Sequence, residues 1–199
     1  MNICVYGASS DLINDEYIKS TEELGIKMAK RGHGLVFGGG NAGLMGASAR
    51  GVYKEKGNIV GVAPSFFDVD GRLFEHCTEL IFTDTMRERK QILEEKSDAY
   101  IVTPGGIGTL DEFFEMLTLK QLGRHAKAIA VFNILGYYDD MVNMLKKTSQ
   151  QGFMCDASLN LFKIFEDADR MLDWLEKYKG TAVDIAHMKP ISKRPLESL

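Results

Sequence analysis

Pro104-Gly105-Gly106-Ile107-Gly108-Thr109 places three glycines in four positions directly ahead of a helical pattern. Glycine lets a backbone approach a ligand closely and take positive φ. A helix beginning near Thr109 would turn free N–H groups and a partial positive charge into that gap. A phosphate is the guest such a loop suits. The stretch has no Gly-Lys-Ser/Thr ending, so it is not a nucleoside-triphosphate loop with its lysine and magnesium ligand.

The helix that follows has two faces. Leu110, Phe113, Phe114 and Leu117 fall at i, i+3, i+4, i+7 and must face a core, while Glu112 and Glu115 lie one turn apart on the other side. Thr109-Leu110-Asp111-Glu112 reads as a capping box, which gives Glu112 a structural account. The functional account makes it a carboxylate one turn from a phosphate, placed for chemistry on the attached sugar. Glu115 is a further candidate substrate contact, with a solvated surface acid as the alternative. Upstream, Thr85-Met86-Arg87-Glu88 is another capping box, which makes Glu88 structural. Arg89 lies on the apolar stripe between Met86 and Leu93, with Lys90 at its edge. An arginine there is paired to a buried acid, aimed into a site, or snorkelling to solvent.

Gly38-x-Gly40-x-x-Gly43 formally matches a dinucleotide fingerprint. That fingerprint belongs after the first strand of its unit, with an acid about 20 positions on to hold the ribose. Here it follows the second strand, and the next strand ends Val62-Ala63-Pro64 without an acid. Gly39 and Gly40 remain candidate ligand contacts, with a tight turn and close packing at Gly43 and Gly46 as the alternative. Ser9 and Ser10, after the first strand, either cap the next segment or touch a phosphate or ribose. No Gly-x-Ser-x-Gly elbow occurs, and His33, His76, His125 and His187 have no ligand spacing, so neither serine hydrolysis nor a metal site is expected.

These residues need elements to hold them. Strand-like runs at 2–8, 34–37, 58–63, 79–82, 99–103, 128–132 and 162–165 alternate with helical patterns at 15–31, 43–56, 86–96, 110–122, 138–151 and 167–179. Alternating units with nearly continuous apolar strands imply one α/β domain, a doubly wound parallel sheet covered by helices on both faces. It spans residues 1–180, with a loosely held tail over 181–199. Ligands in such sheets bind where strands end and helices begin. The chain has 199 residues, 45% of them apolar and 26% charged, which are globular values. A net charge of −4 gives no general attraction to nucleic acid. No apolar run approaches the roughly 18 residues of a membrane helix. With no visible leader and three scattered cysteines, a cytoplasmic protein is expected.

Taken in order, Gly38-Gly39-Gly40 with Gly43-Leu44-Met45-Gly46, then Met86-x-x-Arg89-Lys90, then Pro104-Gly105-Gly106-x-Gly108-Thr109-x-x-Glu112, resemble the Lonely Guy family of cytokinin-activating phosphoribohydrolases, older described as possible lysine decarboxylases. Gln121-Leu122-Gly123 and Gly136-Tyr137-Tyr138-Asp139 extend the match over roughly residues 2 to 155. The resemblance implies a Rossmann-like homodimer that cleaves the N-glycosidic bond of adenosine-type nucleoside 5′-monophosphates, yielding free base and ribose 5-phosphate without a cofactor. It makes Arg89 and Glu112 catalytic, Gly105 through Thr109 the phosphate loop, and Lys90 and Thr118 ligand contacts. Asp111 stands where the family commonly has glutamate, and Leu119-Lys120 replaces a pair that begins with tryptophan in the plant enzymes. A further family acid has no matched position among Asp68, Asp70 and Glu75. The rival reading is a non-catalytic carrier of a nucleotide or of molybdenum cofactor on the same fold.

Overall fold

The computed structural model describes residues 1–68 and 71–180. Among the described residues, seven parallel strands form one sheet: β1 (Asn2–Tyr6), β2 (Gly34–Phe37), β3 (Ile59–Pro64), β4 (Glu79–Thr83), β5 (Ala99–Val102), β6 (Ala128–Phe132) and β7 (Lys163–Phe165). Their order across the sheet is β4-β3-β2-β1-β5-β6-β7. The connecting helices are α1 (Asp15–Lys30), α2 (Gly43–Lys54), α3 (Met86–Glu95), α4 (Ile107–Gln121), α5 (Asp139–Gln150) and α6 (Ala168–Lys177).

Period-2 alternation along β1 divides the core in two. Ile3 and Val5 pack with Leu24 and Met28 of α1, Val52 of α2 and Leu172 of α6. Cys4 and Tyr6 point the other way, onto Leu93 of α3, Phe113 and Leu117 of α4, and Leu145 of α5. Three helices therefore cover each face. That double coverage is why the central strands are apolar at every position: β2, β3, β5 and β6 are buried throughout. Burial of both faces removes Cys4 from water entirely and pushes its thiol pKa up to about 12, so it is an inert core group.

The chain winds outward from β1 to β4, then returns to the other side of β1 with β5. The switch point lies between β2 and β5, around the carboxyl end of β1, where such sheets open a crevice. The expected elements all form, with ends shifted by a few residues in most cases. The largest shift is at α4, which begins at Ile107 rather than Leu110, with Gly106 as its N-cap and no side-chain cap. Thr109 therefore lies inside the first turn, and the capping box expected at Thr109–Glu112 does not form. The box at Thr85 and Glu88 does. Residues 181–199, expected as a loose tail, and Asp70 lie outside the described residues.

Candidate active site

A cavity of about 630 Å³ opens at the switch point. The loop after β1 contributes Gly7, Ala8 and Ser9; the loop after β2 contributes Gly38, Gly40 and Ala42; α4 contributes Gly106 through Thr109. Arg89 and Lys90 of α3 and Asp111 and Glu112 of α4 complete the polar wall, with Phe67, Leu73 and Met86 on the apolar side. Gly7 is required by close approach, since a Cβ there would collide with the Thr103 hydroxyl.

Arg89 is neither snorkelling nor free. Its Nη1 donates to Glu112 Oε1 at 2.9 Å and its Nε to the Val62 carbonyl at 3.1 Å, and the residue is only 6% exposed. Gly38 makes room for this guanidinium, which a Cβ would strike. Burial pushes the Glu112 carboxyl above the ordinary glutamate range, and the adjacent Arg89 charge opposes that rise. The pair is thus a desolvated carboxylate and guanidinium in the wall of the cavity, the type of group that transfers or stabilises charge during a reaction.

Two glycine-flanked helix starts face this region. At α2 the backbone donors are taken: Gly43 N–H donates to Asp11 Oδ1 at 2.8 Å, and Leu44 N–H to the Ala8 carbonyl at 2.8 Å. Gly43 has φ +59, and a Cβ on it or on Gly46 would meet the backbone of Ala8 or Asn41. The glycines here serve turn and packing. At α4 no side chain caps the helix, and a Cβ added to Gly106 or Gly108 would meet nothing within 4 Å. Those two positions open onto the cavity with the helix's positive end behind them.

The remaining sequence candidates are distributed around this centre. Lys90 bridges Asp111 at 3.0 Å and Glu115 at 2.7 Å, so Glu115 is an ion-pair partner behind the wall rather than part of it. Those carboxylates raise the Lys90 pKa, the Glu115 hydrogen bond contributing most. Gly105 also stands behind the wall, packed on the Thr109 side chain. Gly39, at φ +76, packs toward Ala63 and passes its carbonyl to Phe74 N–H at 2.9 Å. Thr118 lies exposed on α4, two turns beyond Asp111 and outside the lining. Among the described residues no His, Cys, Asp or Glu cluster could hold a metal, and no helix is long and apolar enough to cross a membrane.

Two features escaped the sequence reading. Asp11 caps a helix 32 residues away, which nothing local announces. Tyr137 donates its hydroxyl to the Gly105 carbonyl at 2.7 Å, although the Gly-Tyr-Tyr-Asp motif that holds it was visible.

An open parallel sheet with its cleft at the switch point, an uncapped helix start on one wall and a buried arginine–glutamate pair on another defines a Rossmann-like protein. Solved structures agree on the fold. The molybdenum cofactor carrier protein from Chlamydomonas reinhardtii superposes with a TM-score of 0.69 at 22% identity, covering 88% of this chain and 96% of that one. The crystal structure of TM1055 gives 0.70 at 19% identity, covering 89% and 99%. The family model described as "Possible lysine decarboxylase" matches residues 45–175. A probable cytokinin riboside 5′-monophosphate phosphoribohydrolase of Oryza sativa subsp. japonica is 33% identical over 187 residues, 94% of this chain and 76% of that protein. A cytokinin riboside 5′-monophosphate phosphoribohydrolase of Arabidopsis thaliana is 32% identical over 187 residues, 94% and 88% of the two chains. The chain belongs to this family, the Lonely Guy family.

Proposed function

We propose that the protein hydrolyses the N-glycosidic bond of adenine-type nucleoside 5′-monophosphates, cytokinin ribotides among them, releasing the free base and ribose 5-phosphate. The observation that carries this reading is the Arg89–Glu112 pair in the wall of the cavity onto which the uncapped start of α4 opens. The names of the relatives at 32–33% identity support it.

The 5′-phosphate binds the N–H groups at Gly106–Thr109, with Ser9 facing it across the cleft. Being remote from the broken bond, it supplies binding energy that positions the anomeric carbon. As the bond to the base lengthens, positive charge builds on the ribose, and the Glu112 carboxylate stabilises it or takes a proton from the attacking water. The bonding electrons leave on the base nitrogen, whose negative charge Arg89 offsets before protonation. Water's oxygen ends on the anomeric carbon and its protons are shared between product and base, so no metal or redox cofactor is needed. Lys90, held by Asp111 and Glu115, adds a cation beside the pair. Gly39, Gly105 and Thr118 act one layer out, through the backbone or the helix that carries the wall.

The reading extends to a cytoplasmic homodimer. Three cysteines without a disulfide fit that compartment, and exposed Phe82, Met86, Leu122 and Met144 on the outer helices and edge strand offer apolar surface to a second copy. Light scattering at micromolar concentration should give twice the chain mass. The carrier reading draws only on the shared fold.

Incubation with a panel of nucleoside 5′-monophosphates, followed by chromatography of base and ribose 5-phosphate, tests the activity. Charge-assisted hydrogen bonds are worth roughly 1.5–3 kcal/mol each, so adenosine should be cleaved about a thousandfold less efficiently than its 5′-monophosphate. Equal cleavage overturns the phosphate site. Tight binding of a nucleotide without base release favours the carrier.

A further inference from the structure

We infer that Tyr137 is a positioning residue for the phosphate cradle, its hydroxyl holding the Gly105–Gly106 peptide in the orientation that presents the Gly106 N–H to the ligand. The inference rests on the proposed phosphate site at the start of α4.

A trans peptide is planar, and its C=O and N–H point in opposite directions. A donor that fixes the Gly105 carbonyl therefore fixes the Gly106 N–H on the other side of the same plane. Tyr137 is that donor, at 2.7 Å from the carbonyl oxygen. Gly105 lies behind the cavity wall and Gly106 within it, so the plane is held from outside while its N–H side faces the cleft. External restraint matters because both residues are glycine, and a Gly-Gly peptide can rotate at little steric cost. The two preceding carbonyls are held as well. Thr103 O accepts from the Tyr138 hydroxyl at 2.8 Å, and Pro104 O accepts from Ala8 N–H at 3.0 Å. Three successive carbonyls are thus tied, and only the Gly105 tie comes from a half-exposed side chain.

Tyr137 is itself aimed. It follows Leu135 at φ 53 and Gly136 at φ +71, a turn that a β-rich pattern would not produce. Asn133 clamps that turn, its amide donating to Asp139 at 2.8 Å and its oxygen accepting from Tyr138 N–H at 2.7 Å. The Tyr137 ring rests edge-on against Tyr17, at 6.0 Å between centroids. Non-glycine residues in the left-handed region persist where surrounding contacts over-determine them.

Tyr137→Phe keeps the ring and its packing and removes only the hydroxyl. Ribose 5-phosphate, titrated by calorimetry, should bind the variant about three- to tenfold more weakly, the fold-change of one net hydrogen bond. kcat/KM for adenosine 5′-monophosphate should fall by a similar factor, part of it in kcat, because the phosphate contact also positions the anomeric carbon. Cleavage of adenosine and the melting temperature should stay at wild-type values. Unchanged ribose 5-phosphate binding overturns the inference, as does a parallel loss with both substrates, which a purely structural role would give. Wild-type protein that does not bind ribose 5-phosphate overturns the phosphate site and this inference together, and that failure is seen before any variant is made.

Discussion

The starts of α2 and α4 are glycine-rich turns at the same edge of the same sheet, and they are built in opposite senses. At α2 the N–H groups close on protein atoms, the Asp11 carboxylate and the Ala8 carbonyl, and the glycines admit neighbouring backbone. At α4 the corresponding turn has no side-chain cap, and two of its glycines look onto the cavity. The better match to a nucleotide fingerprint is at α2, where Gly38 and Gly40 line the cavity and Gly43 serves packing. A glycine pattern specifies close approach; what approaches is decided by the groups that other segments bring to the N–H donors. Damage at α4 should therefore cost activity and leave stability, and damage at α2 should do the reverse.

The largest effect belongs to Glu112→Gln, which should lower turnover by about a thousandfold or more while the fold survives, its amide oxygen still accepting from Arg89. Arg89→Ala is a poorer probe, because it strands a buried carboxylate and confounds activity with folding. A pH series sharpens the point. If the Glu112 carboxylate is the working form, wild-type turnover falls on the acid side with a midpoint above 4.5, the ordinary value, since burial raises this group. For stability the sign is opposite: the fold favours the protonated form, so this group's contribution is greatest below its ordinary value and declines as pH rises through the raised one. Glu112→Gln should remove that decline, read by denaturant midpoints across the same pH range.

Next come paired glycine variants. Gly46→Ala drives a methyl into the Asn41 backbone and should cost about 3 kcal/mol or more in chemical denaturation. Gly106→Ala, at an extended φ of −89 that alanine adopts freely, should change stability by less than about 1 kcal/mol. Its methyl would stand in the proposed phosphate cradle, and ribose 5-phosphate affinity should fall at least about tenfold. If both variants lost stability alike, the contrast between the two turns would be gone. The smallest effect is at Asp11. Replacing the capping carboxylate with alanine should cost about 1 kcal/mol of stability, with asparagine recovering most of it, and KM for a monophosphate should not move.

Periodicity and strand composition made the α/β alternation legible, because a strand buried on both faces has to be apolar at nearly every position, as Ile59–Pro64 is. The ordered motifs in the sequence already point to Arg89, Glu112 and the Gly106–Thr109 wall. The start of α4 is hidden in the sequence for a physical reason. Thr109 and Glu112 carry the residue types of a capping box, while the actual N-cap is glycine, which tolerates the position without advertising it. Arg89 left three accounts open because its partner lies 23 residues away on another helix. Asp11 and the Tyr137 hydroxyl act across 32 residues each, on a backbone N–H and a backbone carbonyl, and neither target has a side-chain signature.

The place of β1 in the sheet has a consequence for synthesis. It is made first, sits at the centre, and has β2 on one side within some thirty residues. Its other edge waits for β5, whose end brings Thr103 to Tyr6 across 97 residues of chain. At ribosomal rates of about 5–20 residues per second, that edge is unpaired for roughly 5 to 20 s in every nascent chain. An apolar strand with open N–H and C=O groups is a template for pairing between chains. Crowded overexpression, where neighbouring nascent chains meet within that interval, should therefore divert a share of the protein into aggregates, and slower initiation or a holding chaperone should recover it.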